Sequence, residues 1–307
     1  MRESIVIGSR GSRLAVIQAE WVLTRLKEAI PTLKISLTRI ITSGDRDNST
    51  SLGEMPYRGV FVKELELALL EGEIDLAVHS LKDMPVEIPR GLSLAAVTSR
   101  VDPRDVLVSR AGKLAELATG SVIGTGSFRR IVQLLSYRPD LEVRELRGNI
   151  DTRLRKVSNG ELDGAILAAA ALIRLGREEK ITEYLSTDHF TPAAGQGALG
   201  IEIRSQDKEI AMLVSFLNHK PTWQSIVAER TFLQALGGGC HAPIAAFGTV
   251  SGNTLILAGM VANSSGNRIL RCSQEGSVLT PEQVGLRLAH ALVEMGASQL
   301  IAEVTTN

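Results

Sequence analysis

Short apolar runs broken by polar turns set the rhythm of this chain. Ser4-Ile-Val-Ile-Gly8 reads as a buried strand, and apolar spacing from Leu14 to Leu26 predicts a helix after the turn Ser9-Arg10-Gly11-Ser12-Arg13. Lys34 to Ile41 predicts a second strand, and Val60 to Leu70 a helix ended by Gly72. Leu76 to Val78 predicts a third strand, running into His79-Ser-Leu-Lys82-Asp83-Met-Pro85. Leu92 to Val97 and Val106 to Val108 are further strands, separated by the polar segment Arg100-Val-Asp-Pro-Arg-Asp105. Alternating strands and helices imply an α/β fold.

The layout then repeats. Ile123-Gly-Thr-Gly-Ser-Phe-Arg-Arg130 echoes Ile7-Gly-Ser-Arg-Gly-Ser-Arg-Leu14, and Gly160-Glu-Leu-Asp-Gly-Ala-Ile166 echoes Gly72-Glu-Ile-Asp-Leu-Ala-Val78. Two similar α/β lobes around a cleft are expected, residues 1–98 with 198–216 and residues 99–197. The strand Leu199 to Ile203 is expected to cross back into the first lobe after the small-residue stretch Thr191 to Gly200. Residues 217–307 are expected to form a small α+β domain. Its helix Pro221 to Leu236 carries Glu229 and Arg230, facing outward or bridging domains. Antiparallel strands follow at Ala245–Val250, Thr254–Ala262 and Arg268–Ser273, and a helix from Pro281 to Met295 closes the chain.

Composition narrows the function classes. The 307 residues carry 34 basic and 34 acidic side chains, so bulk charge points to neither nucleic acid nor an anionic membrane. Aromatic residues make up 4% of the chain, and no base-stacking platform is visible. Two cysteines, Cys240 and Cys272, form no disulfide framework and fit a reducing compartment. The first residues lack the features of a secretory signal, and no apolar run approaches a membrane span. A cytoplasmic protein is expected.

Candidate chemistry gathers at strand exits, where open α/β sheets bind ligands. Lys82 and Asp83 place a cation and a carboxylate after the third strand, suited to proton handling or to charge stabilisation; a charged loop is the plainer account. The Ser9–Arg13 turn can present N–H groups to an anion, with Arg10 and Arg13 to strengthen the site, though surface arginines beside a turn are the plainer account. Between Arg129 and Lys156, eight cations face four carboxylates. Guanidinium groups bind carboxylates as bidentate forks, so a polyanionic ligand is implied, with a solvated basic face as the alternative. The aperiodic run from Thr42 to Gly59 is expected to be a lid, with a disordered linker as the competing account. Cys240, after three glycines, fits a buried thiol, a nucleophile or a covalent anchor; no spaced ligand set supports zinc.

Several long motifs together resemble the porphobilinogen deaminase family over essentially the whole chain. They are Phe61-Val-Lys-Glu-Leu-Glu66, Asp75-Leu-Ala-Val-His-Ser-Leu-Lys-Asp-Met-Pro85, Gly124-Thr-Gly-Ser-Phe-Arg-Arg130, Leu146-Arg-Gly-Asn-Ile-Asp-Thr-Arg153, Pro192-Ala-Ala-Gly-Gln-Gly-Ala198, Ala228-Glu-Arg-Thr-Phe-Leu233 and Gly238-Gly-Cys240. The resemblance implies two lobes like type II periplasmic binding proteins and a small third domain, in a monomer without a metal. It implies a dipyrromethane cofactor joined to Cys240 by a thioether. On this primer four porphobilinogen molecules condense with loss of ammonia, and hydrolysis releases hydroxymethylbilane for porphyrin and heme biosynthesis. Asp83 is then the catalytic residue, stabilising the cationic azafulvene left by ammonia and assisting proton transfer. Lys82, Ser127, Arg129, Arg130, Arg147 and Arg153 are expected on the cofactor, Arg10, Ser12 and Arg174 on the substrate, and Arg58 and Phe61 in the lid. Glu54, Arg58 and Gly126 depart from residues common in the family, lysine, lysine and serine respectively. A non-catalytic polyanion-binding protein would leave Cys240 and Asp83 idle, and a cysteine hydrolase would need a histidine near Cys240.

Overall fold

The structure, a computed structural model, describes residues 2–42, 62–237 and 243–305. Its contacts divide it into two units, Met1–Val101 with Ala198–Trp223, and Asp102–Gly197 with Gln224–Asn307.

In the first unit, β1 (Ser4–Arg10), β2 (Lys34–Ile40), β3 (Leu76–Ser80), β4 (Leu92–Val97) and β10 (Leu199–Arg204) form one sheet in the order β2-β1-β3-β10-β4. β1 runs parallel to β2 and β3, while β10 is antiparallel to both β3 and β4. The expected crossing strand is therefore real, and it lies inside the sheet between β3 and β4. Helices α1 (Arg13–Ala29) and α6 (Lys208–Val214) bury Ala19, Val22, Leu26, Ile210 and Leu213 against Ile5, Ile7, Leu76, Val78 and Ile201 on one face. Helix α2 (Lys63–Glu71) covers the other face with Leu65, Ala68 and Leu69 on Ile74, Ala77 and Leu92. Each such leucine contributes roughly 2 kcal/mol by leaving water.

The second unit repeats this order with β5 (Asp105–Ser109), β6 (Val122–Gly124), β7 (Glu142–Arg144), β8 (Gly164–Ala168) and the two-residue β9 (Glu183–Tyr184), which the sequence pattern does not announce. The order is β7-β6-β8-β5-β9, with β6 parallel to β7 and β8, and β5 antiparallel to β8 and β9. This matches the first sheet strand for strand, as the two similar α/β lobes expected from the sequence require.

The echoes have a physical basis. Asp75 accepts the Val6 N–H at 2.8 Å through Oδ2, and Asp163 accepts the Val122 N–H at 2.7 Å in the same way. Gly72 and Gly160 take left-handed φ values of 78° and 83° just before these aspartates. A Cβ on Gly8 or Gly124 would collide with Ile74 or Leu162, so both β1 and β6 need glycine where a loop side chain crosses them.

The same unit holds an antiparallel meander of β11 (Ile244–Ser251), β12 (Thr254–Ala262) and β13 (Ile269–Ser277). One face packs on α7 (Lys220–Ala235) and α8 (Pro281–Glu294) through Phe232, Leu255, Leu257, Leu288 and Leu292. On the other face Ala245, Met260 and Ala262 meet Val132 of α3 (Phe128–Tyr137). The helix at Pro281 does not close the chain: Gly296, at φ 101°, breaks it, and a further helix, α9 (Ala297–Thr305), buries Ala297 and Leu300.

Candidate functional site

In the first unit β1 and β3 are adjacent and parallel, so their carboxyl ends open on one edge. A cleft there is lined by Arg10, Ser12, Gln18, His79, Ser80 and Asp83, among others. Ser12 caps α1, its Oγ accepting the Ala15 N–H at 3.3 Å. Ser80 Oγ donates to Gln18 Oε1 at 3.0 Å, tying strand to helix.

Lys82 and Asp83 lie in a single 3-10 turn, Leu81–Asp83. Its two ends are fixed: Leu81 N–H donates to Ala198 O at 3.1 Å, and Met84 N–H to Leu81 O at 3.2 Å. Leu81 and Met84 are buried against Gly200, where a Cβ would lie 2.8 Å from Leu81 Cδ1 and 3.0 Å from Met84 Sδ. The apolar residues anchor the turn and Asp83 is left exposed, with Lys82 half-buried beside it.

Behind this edge lies a buried ionisable cluster that the sequence does not reveal. His79 Nε2 is 3.0 Å from Glu202 Oε2, with both side chains removed from water. Burial pushes the Glu66 carboxyl up to about 7, and the negative Glu202 adds to the shift while His79 opposes it.

In the second unit Ser127 stands at the N-cap position of α3 without a side-chain capping bond, Arg147 follows β7, Arg153 lies on α4 (Ile150–Ser158), and Arg174 ends α5 (Ala169–Arg174). Ser127 and Arg147 thus follow the carboxyl ends of the parallel strands β6 and β7, and α5, which carries Arg174, starts directly after β8. Arg147 donates through Nε and an Nη to Glu145 Oε1 at 2.8 Å, and Arg153 Nε donates to Gly148 O at 2.8 Å. Arg174 donates to Gly197 O at 2.8 Å, and burial pushes its guanidinium down to about 10, leaving it cationic at neutral pH.

Arg129 and Arg130 differ from a pair of open ligand arginines. Both are buried on Asp105, which is fully buried itself: Arg129 donates to it at 2.7 and 3.2 Å, and Arg130 Nε at 3.0 Å. Gln196 Nε2 adds a bond at 2.9 Å. Burial alone would raise the Asp105 carboxyl, but the two guanidiniums overcome it and hold the group far below the usual carboxylate range. Asp105 and Gln196 are thus site residues that sequence reasoning passed over.

Cys240, Arg58, Phe61 and Glu54 lie outside the described residues. Among the described residues no group of three or more His, Cys, Asp or Glu could hold a metal ion, and no helix is long and apolar enough to cross a membrane.

The chain matches the family models for the porphobilinogen deaminase dipyrromethane cofactor binding domain over residues 5–212 and for the porphobilinogen deaminase C-terminal domain over residues 223–294. It is 46% identical to the porphobilinogen deaminase of Alkaliphilus metalliredigens over 305 residues, covering 99% of this chain and 96% of that protein. It is 47% identical to the porphobilinogen deaminase of Pelotomaculum thermopropionicum, over 98% of this chain and 97% of the relative. Among solved structures, the effector-binding domain of BenM with benzoate aligns at 15% identity and a TM-score of 0.43, over 73% of this chain and 94% of that one.

Proposed function

The chain belongs to the porphobilinogen deaminase family, and we infer from this membership and the residues above how it works. It is a hydroxymethylbilane synthase, a transferase of tetrapyrrole biosynthesis that joins four porphobilinogen molecules head to tail, releases ammonia at each addition and frees the linear product by hydrolysis. The setting of Asp83 carries the assignment of roles. It is exposed on a turn anchored at both ends and shares a cleft with Arg10 and Ser12.

The donor chemistry fits a dipyrromethane, whose acetate and propionate groups call for cations. Ser127 and Arg147 follow the carboxyl ends of β6 and β7, and burial leaves Arg174 poorly hydrated, which strengthens any contact with an anion. Lys82, Ser127, Arg129, Arg130, Arg147 and Arg153 would hold the cofactor, and Cys240 would carry its thioether. When bound, the group supplies the free pyrrole α-carbon from which the chain grows. Asp105 sets the orientation of Arg129 and Arg130 and satisfies their inner N–H groups, so that any further N–H can serve a ligand without reorganisation. Arg10, Ser12 and Arg174 position the incoming carboxylates. Asp83 stabilises the positive charge that develops at the pyrrole nitrogen as ammonia leaves, and it assists transfer of the proton displaced at carbon. The protein acts as a cytoplasmic monomer in this reading, in keeping with its two unpatterned cysteines.

The test is intact mass under denaturing conditions, with peptide mapping around Cys240. An adduct of two porphobilinogen-derived units on Cys240, absent from Cys240→Ser, is the expected result. A thiol that stays unmodified after incubation with porphobilinogen, with no ammonia released, would overturn the reading.

A further inference from the structure

Glu66 on α2, His79 on β3 and Glu202 on the crossing strand β10 are each more than nine-tenths buried. Glu202 holds His79 Nε2 at 3.0 Å through one oxygen. The other Glu202 oxygen, Oε1, and Glu66 Oε1 have no hydrogen-bond partner among the described residues. Glu66 lies on α2, which packs on both β3 and β10, and a buried carboxylate without a hydrogen-bond partner ionises only at a large desolvation cost, so Glu66 favours its protonated form. The cluster is not sealed off: His79 lines the same cleft as Asp83 and Arg10.

The charged surroundings favour a retained proton that can still be released. α2 packs on β1, β3, β10 and β4. Glu64 of α2 also has a buried oxygen, β1 ends in Arg10, and β3 leads to Lys82 and Asp83. β10 ends in Arg204, which is engaged by Leu69 O, Ile74 O and Asp75, and β4 contributes no charge. The Glu66 carboxyl, pushed up to about 7, therefore exchanges its proton near neutrality.

Every addition in the proposed reaction forms a C–C bond at a pyrrole α-carbon and breaks the C–H bond there, while the departing ammonia ends as ammonium. A proton must wait between these events. We propose that Glu66, His79 and Glu202 form a proton-holding relay behind Asp83, taking up the α-carbon proton through His79 at the cleft wall and returning it to the cleft for the ammonia that leaves in the next addition. Glu66 and Glu202 touch no substrate; Glu202 positions His79 through their direct contact, and Glu66 holds the proton under the influence of both charges. The proposal rests on the deaminase reading above.

The kcat of the wild-type protein with porphobilinogen should fall on the acid side with a midpoint near the Glu66 value of about 7. Glu66→Gln, which keeps the shape and removes the titration, should lower kcat about tenfold, leave KM unchanged and abolish that limb. Glu66→Asp should restore it in part. An unchanged profile in a folded Glu66→Gln protein would overturn the relay while leaving the deaminase intact; a wild-type protein inert to porphobilinogen at every pH would sink both. A second readout does not depend on turnover. Infrared difference spectra of the wild-type protein between pH 6 and 8 should lose a protonated-carboxyl C=O band that Glu66→Gln lacks, and absence of that band would also overturn the proposal.

Discussion

Glu229 of α7 accepts the backbone N–H of Gly195 at 2.7 Å, and its second oxygen accepts the Gly248 N–H of β11 at 2.8 Å. A fully buried carboxylate thus ties the small-residue stretch after β9 to the meander sheet. Gly195 and Gly197 take φ values of 76° and 94° there, so this backbone needs external fixing. Glu229 does not face outward, one of the two placements expected for it: it is buried within the second unit.

Replacing Glu229 by alanine leaves two buried N–H groups without these acceptors, and about 2–4 kcal/mol of stability should go. Glu229→Gln keeps one good acceptor and should lose roughly half as much. Urea unfolding of both variants checks the ranking; equal losses would mean that the charge, not the pair of acceptors, is what matters.

Asp105 is the counter-charge of Arg129 and Arg130, and Asp105→Ala buries two uncompensated cations, at a cost of about 3–5 kcal/mol. Its folded carboxyl titrates below the unfolded one, so its stabilisation is complete above about pH 4 and is lost as pH falls through the folded value. The unfolding free energy of Asp105→Asn should therefore converge on that of the wild type in acid. Parallel curves down to pH 2 would contradict the linkage.

How far these features are legible in the sequence depends on whether a group acts locally. The echoing Gly-Glu-Ile-Asp and Gly-Glu-Leu-Asp segments mark β3 and β8 because Asp75 and Asp163 close the same turn in each lobe. Lys82 and Asp83 were visible for the same reason: a strand ends and a turn presents them. Glu202 was not, being one polar residue inside Leu199-Gly-Ile-Glu-Ile-Arg204, which meets His79 only because β10 inserts beside β3. Asp105 read as a loop acid, although it opens β5 beneath the arginines it pairs with. The inward commitment of Arg129 and Arg130 was hidden likewise, since charge density in a segment says nothing about which charges face each other.

Gly285 on α8 marks where two helices of the meander domain touch through their backbones. A Cβ there would sit 2.5 Å from Ala228 O and 3.0 Å from Thr231 Cβ. Since a backbone carbonyl cannot swing aside, Gly285→Ala should cost about 1–3 kcal/mol, although alanine is the better helix former. A thermal melt at or above the wild-type temperature would show that the helices can separate freely.

Asp83 should behave in the opposite manner. It is exposed, and its turn is anchored by Leu81 and Met84 rather than by its own side chain. Asp83→Ala should abolish porphobilinogen consumption while changing stability by less than about 0.5 kcal/mol. Near-normal turnover would remove Asp83 from the mechanism.

Glu66 links stability to pH with the reverse sign of Asp105. Its folded carboxyl is raised from 4.5 to about 7, chiefly by burial, so the folded state holds its proton more tightly than the unfolded chain does. The associated stability is complete below about pH 4 and is eroded as pH rises towards 7, by at most about 3 kcal/mol. Above that pH the wild-type protein carries a buried charge that Glu66→Gln does not. The variant should therefore gain on the wild type in urea unfolding between pH 5 and pH 8, by about 2 kcal/mol. An advantage that stays constant across this range would assign the effect to packing alone. A gain in stability accompanied by slower turnover is the signature of a group retained for chemistry at the expense of the fold.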